Sequence, residues 1–174
     1  MKLKNIIKVW NEELFHIERE KICEVNSDLK IKFVPITSEN LDLVENLRGK
    51  IYVNQFKEQI NCGDFGYYAC VDEKPVAYGW VKHKGSKDYF FEIEGESCYL
   101  CRFFTHSNMR GHNIYPLIIL ELMKHEKECN SFYIDIEEGN FSSEKGLIKV
   151  GFKKAKKLKF FRIFKRTINR YILG

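Results

Sequence analysis

Apolar and polar positions along this chain repeat with two periods, and the places where one gives way to the other predict the elements. IKFVPI (31–36) is an apolar, partly β-branched run that reads as a strand. In TSENLDLVENL, Thr37 or Ser38 supplies a helix N-cap, and Leu41, Val44 and Leu47 fall on one helical face. GKIYVNQFKEQI reads as a second helical stretch ending near Cys62-Gly63. The period then drops to two. FGYYACVDEKPVAYGWVKH carries aromatic and β-branched runs on either side of DEKP and predicts an antiparallel hairpin, with HKGSKD as a polar extension of its loop. YFFEIEGESCYLCRFFTH gives more strand. After the turn NMRGHN come an apolar helix, the short strand FYIDIEE, the helix-like NFSSEKGLIKV, and strand candidates around GFKKAKKL and KFFRIFK. The opening, residues 1–29, reads as an attached extra element: IIKVWNEELFHI has partial helical spacing and nothing that points to chemistry.

This order predicts mixed α and β structure around one sheet, with residues 30–174 as a single domain. A length of 174 residues and 44% hydrophobic content suffice for one substantial core. No apolar run reaches the roughly 18 residues a spanning helix needs, and charges come too early in MKLKNIIKVWNEELFHIERE for a secretory leader, so a soluble, cytoplasmic protein is expected. Six cysteines are spread along the chain. Cys98 and Cys101 are close, but residues three apart on a strand face opposite ways, which favours reduced, mostly buried thiols and no metal. His83, His106, His112 and His125 form no ligand or triad pattern.

The net charge of +5 is unevenly placed. Nine of the 29 Lys and Arg residues lie between Gly151 and Gly174, where there is no acid. Apolar residues interrupt the bases in KKAKKLKFFRIFKR, so the segment reads as a strand or amphipathic stretch with a solvated basic face. It is expected to pack Phe160, Ile163 and Phe164 into the sheet and to bind no specific nucleic acid.

FFTHSNMRGHNIYPLIILEL (103–122) asks for a functional reading. A helix N-terminus leaves about four N–H groups unpartnered and carries roughly half a positive charge, which suits phosphate. Pro116 has no N–H to give His112 and crowds its carbonyl, so the helix starts near there and its free donors lie between about Met109 and Tyr115. Gly111 permits unusual backbone angles and close approach, and Arg110 adds a cation.

The strand, the turn NMRGHN, the apolar helix and the later NFSSEKGLIKVGFKK together resemble the motifs of the GNAT superfamily of acyl-CoA-dependent N-acyltransferases, over roughly residues 30–167. Arg110 and Gly111 match the family's turn. Asn108 stands where Gln or Arg is usual, and Asn113 where a small residue is usual. Asn140, Ser143 and Gly151-Phe152 fall where the family's Asn, small residue and Gly-Phe fall. The resemblance implies an α/β (α+β) fold with a mixed, mostly antiparallel, splayed sheet flanked by helices. It implies acetyl-CoA as acyl donor, its pyrophosphate on the turn and helix start (Arg110, Gly111, His112, Asn113, Ile114, Tyr115) and its pantetheine arm beside the main chain of Phe103, Phe104 and Thr105. Asn140 and Ser143 would also meet the cofactor.

Transfer to an amine needs a neutral amine, a polarised carbonyl and routes for protons. The family's general base often sits on the strand before the loop; Glu94, Glu96 and Tyr99 are the candidates, with Glu96 first. Leu147 occupies the place of the family's frequent tyrosine acid, so that role is unassigned. The implied acceptor is a small-molecule primary amine, amino sugars being one such class, and a homodimer is compatible with this reading. The competing class is a non-catalytic module that binds CoA in the same cleft, or nucleic acid or membrane through the basic segment.

Overall fold

The computed structural model describes residues 7–82, 96–163 and 166–173, with the side chains of 8–82 and 96–160. Eight strands form one sheet: β1 (Ile7–Glu18), β2 (Lys32–Pro35), β3 (Phe65–Val71), β4 (Lys74–Lys82), β5 (Ser97–Thr105), β6 (Ser131–Glu137), β7 (Lys153–Ile163) and β8 (Arg166–Leu173), in the order β2-β3-β4-β5-β6-β1-β7-β8. β5 and β6 run parallel and every other neighbouring pair is antiparallel. Four helices, α1 (Asp42–Arg48), α2 (Ile51–Asn61), α3 (Ile114–His125) and α4 (Phe141–Val150), flank this sheet. The architecture is the mixed α and β structure around one sheet that the order of elements predicts, and its mostly antiparallel sheet is the one the resemblance implies.

Each face of the sheet has its own core. Leu100, Phe132 and Ile134 pack under Ile118, Ile119 and Leu122 of α3 and Leu147 of α4. On the other face Tyr68, Trp80, Tyr99 and Cys101 pack under Val44 of α1 and Phe56 of α2. Thr37 caps the entry to α1: its Oγ1 accepts from the Glu39 N–H, and its own N–H donates to Asn40. The hairpin turn closes on Asp72 and Glu73, both at positive φ (49° and 62°), the two-residue geometry that matches strand twist. Pro75 belongs to β4 rather than to the turn.

Three readings of the sequence need correction. The opening stretch, with its partial helical spacing, is a strand in the sheet interior, between β6 and β7. Its alternation is blurred because both faces are covered: Leu14 packs on one side, Phe15 and Ile17 on the other. The two basic runs near the C-terminus merge into one strand, β7, which buries Leu158 and Phe160 and leaves Lys153, Lys154, Lys156 and Lys157 exposed. Cys98 is not a free thiol but is disulfide-bonded to Cys129, a pairing of residues 31 apart that only the tertiary fold brings together. The helix α3 starts at Ile114, in keeping with the expectation that it does not begin much upstream of His112. Glu94 and the strand reading over 89–95 lie outside the described residues, as do the side chains of Ile163 and Phe164. No helix among the described residues is long and apolar enough to cross a membrane.

Candidate functional site

The parallel pairing of β5 with β6 covers only Ser97–Leu100 against Ser131–Ile134. Beyond it β5 stays on β4, through Phe104 opposite Tyr78 and Thr105 opposite Ala77, while β6 stays on β1. The strands therefore part, and among the described residues the edge of β5 from Cys101 to Thr105 has no strand partner on that side. A bulge assists the departure: Arg102 takes φ 55°, and the register slips between Tyr78 and Trp80. Gly79 lies under the Phe103 ring, whose nearest atom would stand 2.4 Å from a Cβ there. Glycine is what lets that ring settle.

The gap opens into a cleft of about 450 Å³, within the usual range for small-molecule sites. Phe103, Phe104 and Thr105 form one wall and the turn 110–113 its rim. Met109 and Arg110 use their N–H groups on His106 and Ser107 carbonyls, at 2.9 and 3.3 Å, so the free donors begin at Gly111. Among the described residues, the N–H groups of 111–115 find no backbone acceptor, and the Leu117 N–H is the first to find one, at Asn113. Gly111 (φ 94°) and Asn113 (φ 57°) give the turn its two left-handed positions. Arg110, Lys145 and Lys149 bring three cations to the same rim, and Lys149 Nζ donates to Asn113 Oδ1 at 2.6 Å.

The opposite wall comes from α4. Asn140 caps it, accepting from the Ser143 N–H at 3.2 Å, and both residues line the cleft. Gly146 leaves room for Tyr115, whose Cδ1 would stand 2.6 Å from an added Cβ. Tyr115 packs edge-to-face on Phe103, with Ser143 close enough to act on its phenol. Burial, then the Asp135 charge, push its phenol well above the ordinary range, so it keeps its proton at neutral pH. Leu147, where a tyrosine was sought, points into the core and is fully buried.

Of the residues singled out from sequence, Phe103, Phe104, Thr105, Arg110, Gly111, Asn113, Ile114, Tyr115, Asn140 and Ser143 converge on this cleft. His112 is turned away from it: its Nδ1 lies 2.9 Å from Asp28, and its carbonyl accepts from Ser27. Glu96 is exposed at the far end of β5, nine positions before Thr105 and roughly 30 Å away at about 3.3 Å per residue, where its carboxylate accepts from Asn130. Tyr99 lies nearer the gap, 2% exposed, with its hydroxyl donating to Asp135.

Asp135 leads to groups that the sequence did not single out. Glu12 of β1 is its neighbour on the adjacent strand and accepts from Trp10 Nε1 at 2.7 Å. Burial, then Asp135, raise the Glu12 carboxyl to about 8. Lys145 and Lys149 were legible only as one face of a helix; Glu12 had no signal at all while its stretch passed for an outlying element.

No protein family's sequence profile matches the chain, and no curated protein matches it by sequence. Solved structures do match. A GNAT-family acetyltransferase from Colwellia psychrerythraea superposes with a TM-score of 0.65 at 15% identity, over 92% of this chain and 59% of that one. A GCN5-related N-acetyltransferase from Kribbella flavida gives 0.62 at 10% identity, over 92% and 61%. The chain thus spans less than two thirds of either. Aminoglycoside N-acetyltransferase AAC(6')-Iy, solved with the bisubstrate analog CoA-S-monomethyl-acetylneamine, gives 0.60 at 14% identity, over 72% of this chain and 92% of that one. At these identities the likeness speaks for architecture, and the chain has the fold of the GNAT acetyltransferases.

Proposed function

We propose that this protein transfers an acetyl group from acetyl-CoA to the primary amine of a small molecule, in the cytoplasm where that donor is made. The observation that carries the reading is the row of unpartnered N–H groups at residues 111–115, ringed by Arg110, Lys145 and Lys149, at the mouth of a gap between parallel strands. A pyrophosphate fits such a rim, because it accepts several hydrogen bonds and carries the charge that the cations and the α3 dipole favour. The unpaired edge of β5 offers main-chain groups to an amide-bearing arm.

In this reading the thioester lies toward the inner end of the cleft, past Phe103. The acceptor amine forms the new C–N bond at the carbonyl carbon, the C–S bond breaks, and CoA leaves as thiolate. Tyr115 is a protonated hydroxyl on the cleft wall, beside Ser143, and supplies the proton. Amino sugars are one acceptor class with suitable chemistry, and an aminoglycoside enzyme shares the fold.

Calorimetry with acetyl-CoA tests the binding half. Wild type is expected to bind, and Gly111→Val to lose binding while staying folded, since a Cβ there meets nothing within 4 Å but the φ of 94° is closed to valine. Unchanged affinity in folded Gly111→Val would move the site elsewhere. Thiol release with a panel of primary amines tests the transfer half.

A further inference from the structure

We infer that Arg48, with Arg102 near it, forms an anion-binding site on the acceptor's side of the cleft, so that the amine this protein accepts also carries a carboxylate or a phosphate. The inference rests on the acyl-transfer reading above and narrows its acceptor from any small primary amine to an anionic one.

The two faces of the sheet give the cleft two sides. The turn 111–115, Lys145 and Lys149 belong to the side of α3 and α4, where the donor's pyrophosphate lies in that reading. Phe103 packs against the core under α3, whereas the next residue, Phe104, packs against the core under α1 and α2, and both line the cleft. The cleft therefore reaches the edge of the α1 and α2 face, and that side is left for the acceptor.

Local sequence holds Arg48 at this edge. It is the last residue of α1; Gly49 (φ 97°) ends the helix, and α2 starts two residues later, which folds Tyr52 back onto it. The guanidinium carbon lies 4.0 Å from the centroid of the Tyr52 ring and 4.0 Å from that of Phe104. The hydroxyls of Tyr52 and Tyr78 accept from its two terminal nitrogens, Tyr78 at 3.4 Å, and Tyr78 stacks on Phe104. These bonds leave the rest of the planar N–H fork unused. Among the described residues no carboxylate pairs with Arg48. A solvated cation would serve the dipole of this seven-residue helix; the rings and hydroxyls instead fix a half-buried one against a residue of the cleft wall.

A second cation lies close by. Arg102 is exposed at the bulge of β5, two positions before Phe104, and its φ of 55° costs free energy at a residue other than glycine. Burial raises the Tyr78 phenol, and the charges of Arg48 and Arg102 both pull it back, so the two guanidinium groups act on one place.

The ligand class follows from charge. A half-buried guanidinium without a counter-ion gains most from an anion, and carboxylate and phosphate both match its fork with two parallel hydrogen bonds. An acceptor that brings only its ammonium adds a further positive charge beside two arginines, and a polycationic amine adds several. The anion makes and breaks no bond. It anchors the acceptor, and the anchor turns the amine toward the thioester carbonyl.

Matched acceptors test the site through thiol release at saturating acetyl-CoA: tyrosine against tyramine, which lacks the carboxylate, and glucosamine 6-phosphate against glucosamine, which lacks the phosphate, with an aminoglycoside as the polycation. In wild-type protein the anionic member of one pair or both is expected to have the higher kcat/KM, by about 10- to 100-fold, the range of hydrogen bonds to a charged group. The pair that shows the larger ratio tells carboxylate from phosphate. Arg48→Gln is expected to bring the two members level, chiefly through KM, and Arg48→Lys to keep part of the ratio, since it keeps the charge and loses the fork. The ratio does not depend on how much of a variant is folded, so a merely structural role for Arg48 would leave it in place. Turnover without a preference for the anionic member, a preference unchanged in Arg48→Gln, or an aminoglycoside used best of all overturns this inference alone. No thiol release with any acceptor overturns the acyl-transfer reading and this inference with it.

Discussion

The Ser27 hydroxyl donates to the main-chain carbonyl of His112 at 2.6 Å, and through it the connector after β1 braces the turn that opens α3. Two more tethers come from the same place: Asp28 takes the His112 ring nitrogen at 2.9 Å, and the Asn26 carbonyl accepts from Asn113 Nδ2 at 2.8 Å. The side chains at 112 and 113 are thus turned to the connector, and the turn's N–H groups stay free for the cleft.

Removing one tether should loosen the turn without unfolding the sheet. Ser27→Ala deletes a hydrogen bond of about 1 kcal/mol, which corresponds to roughly fivefold weaker acetyl-CoA binding if the turn must be re-ordered by the ligand. Calorimetry reads this, with the melting temperature as control. Equal affinity at equal stability would mean that Gly111 and Asn113 hold the turn unaided.

The tether at Asp28 has a pH signature. The His112 hydrogen bond holds the Asp28 carboxyl below its ordinary 3.8. A depressed carboxyl contributes above the unfolded value and loses that contribution as pH falls through the folded one. Acetyl-CoA affinity should therefore decline more steeply below pH 3.8 in wild type than in Asp28→Asn. Parallel declines would leave the ion pair without a part in shaping the turn.

Gly146 and Tyr115 give a separate handle on proton supply. A methyl group at 146 would meet Tyr115 Cδ1 at 2.6 Å, so Gly146→Ala must push the ring off its place against Ser143. Tyr115→Phe removes the hydroxyl alone. Both are expected to lower kcat by about 10²-fold or more with little change in acetyl-CoA affinity, the range of general acid catalysis. A full rate in Tyr115→Phe would hand protonation of the thiolate to water. Leu147→Tyr would not restore it: Leu147 is fully buried, and overpacking there should cost about 1–3 kcal/mol of stability.

How far the sequence could be read depended on where each signal lives. The turn 110–113 and Asn140 declare themselves because their chemistry is local: a glycine with positive φ, a proline near a helix start, an asparagine cap. The succession of strands and helices along the chain from β2 to β6 follows largely from hydrophobic period. β1 escaped because a strand covered on both faces lacks clean alternation, and with it went Glu12, a charged residue of no note until its neighbours are known. Glu96 attracted attention as a carboxylate on the strand before the turn, but along a strand the next residues climb about 3.3 Å each, and the cleft lies at the other end. The Cys98–Cys129 bond joins residues 31 apart and had no local mark.

The raised carboxyl of Glu12 also predicts how stability varies with pH. In the unfolded chain this group titrates near the ordinary 4.5 and in the fold near 8, so the folded state holds the proton more tightly. Its contribution is fully present below pH 4.5 and is lost as pH rises toward 8, because ionising Glu12 in the fold places a half-buried charge beside Asp135. Glu12→Gln keeps an oxygen for Trp10 and an N–H for Asp135 but cannot ionise. The variant is therefore expected to melt close to wild type at pH 4 and above it at pH 9, by about 2–4 °C for each kcal/mol recovered in a chain of this size. Melting curves across that window, by circular dichroism, read the difference. A gap that stays constant from pH 4 to 9 would show that Glu12 titrates alike folded and unfolded.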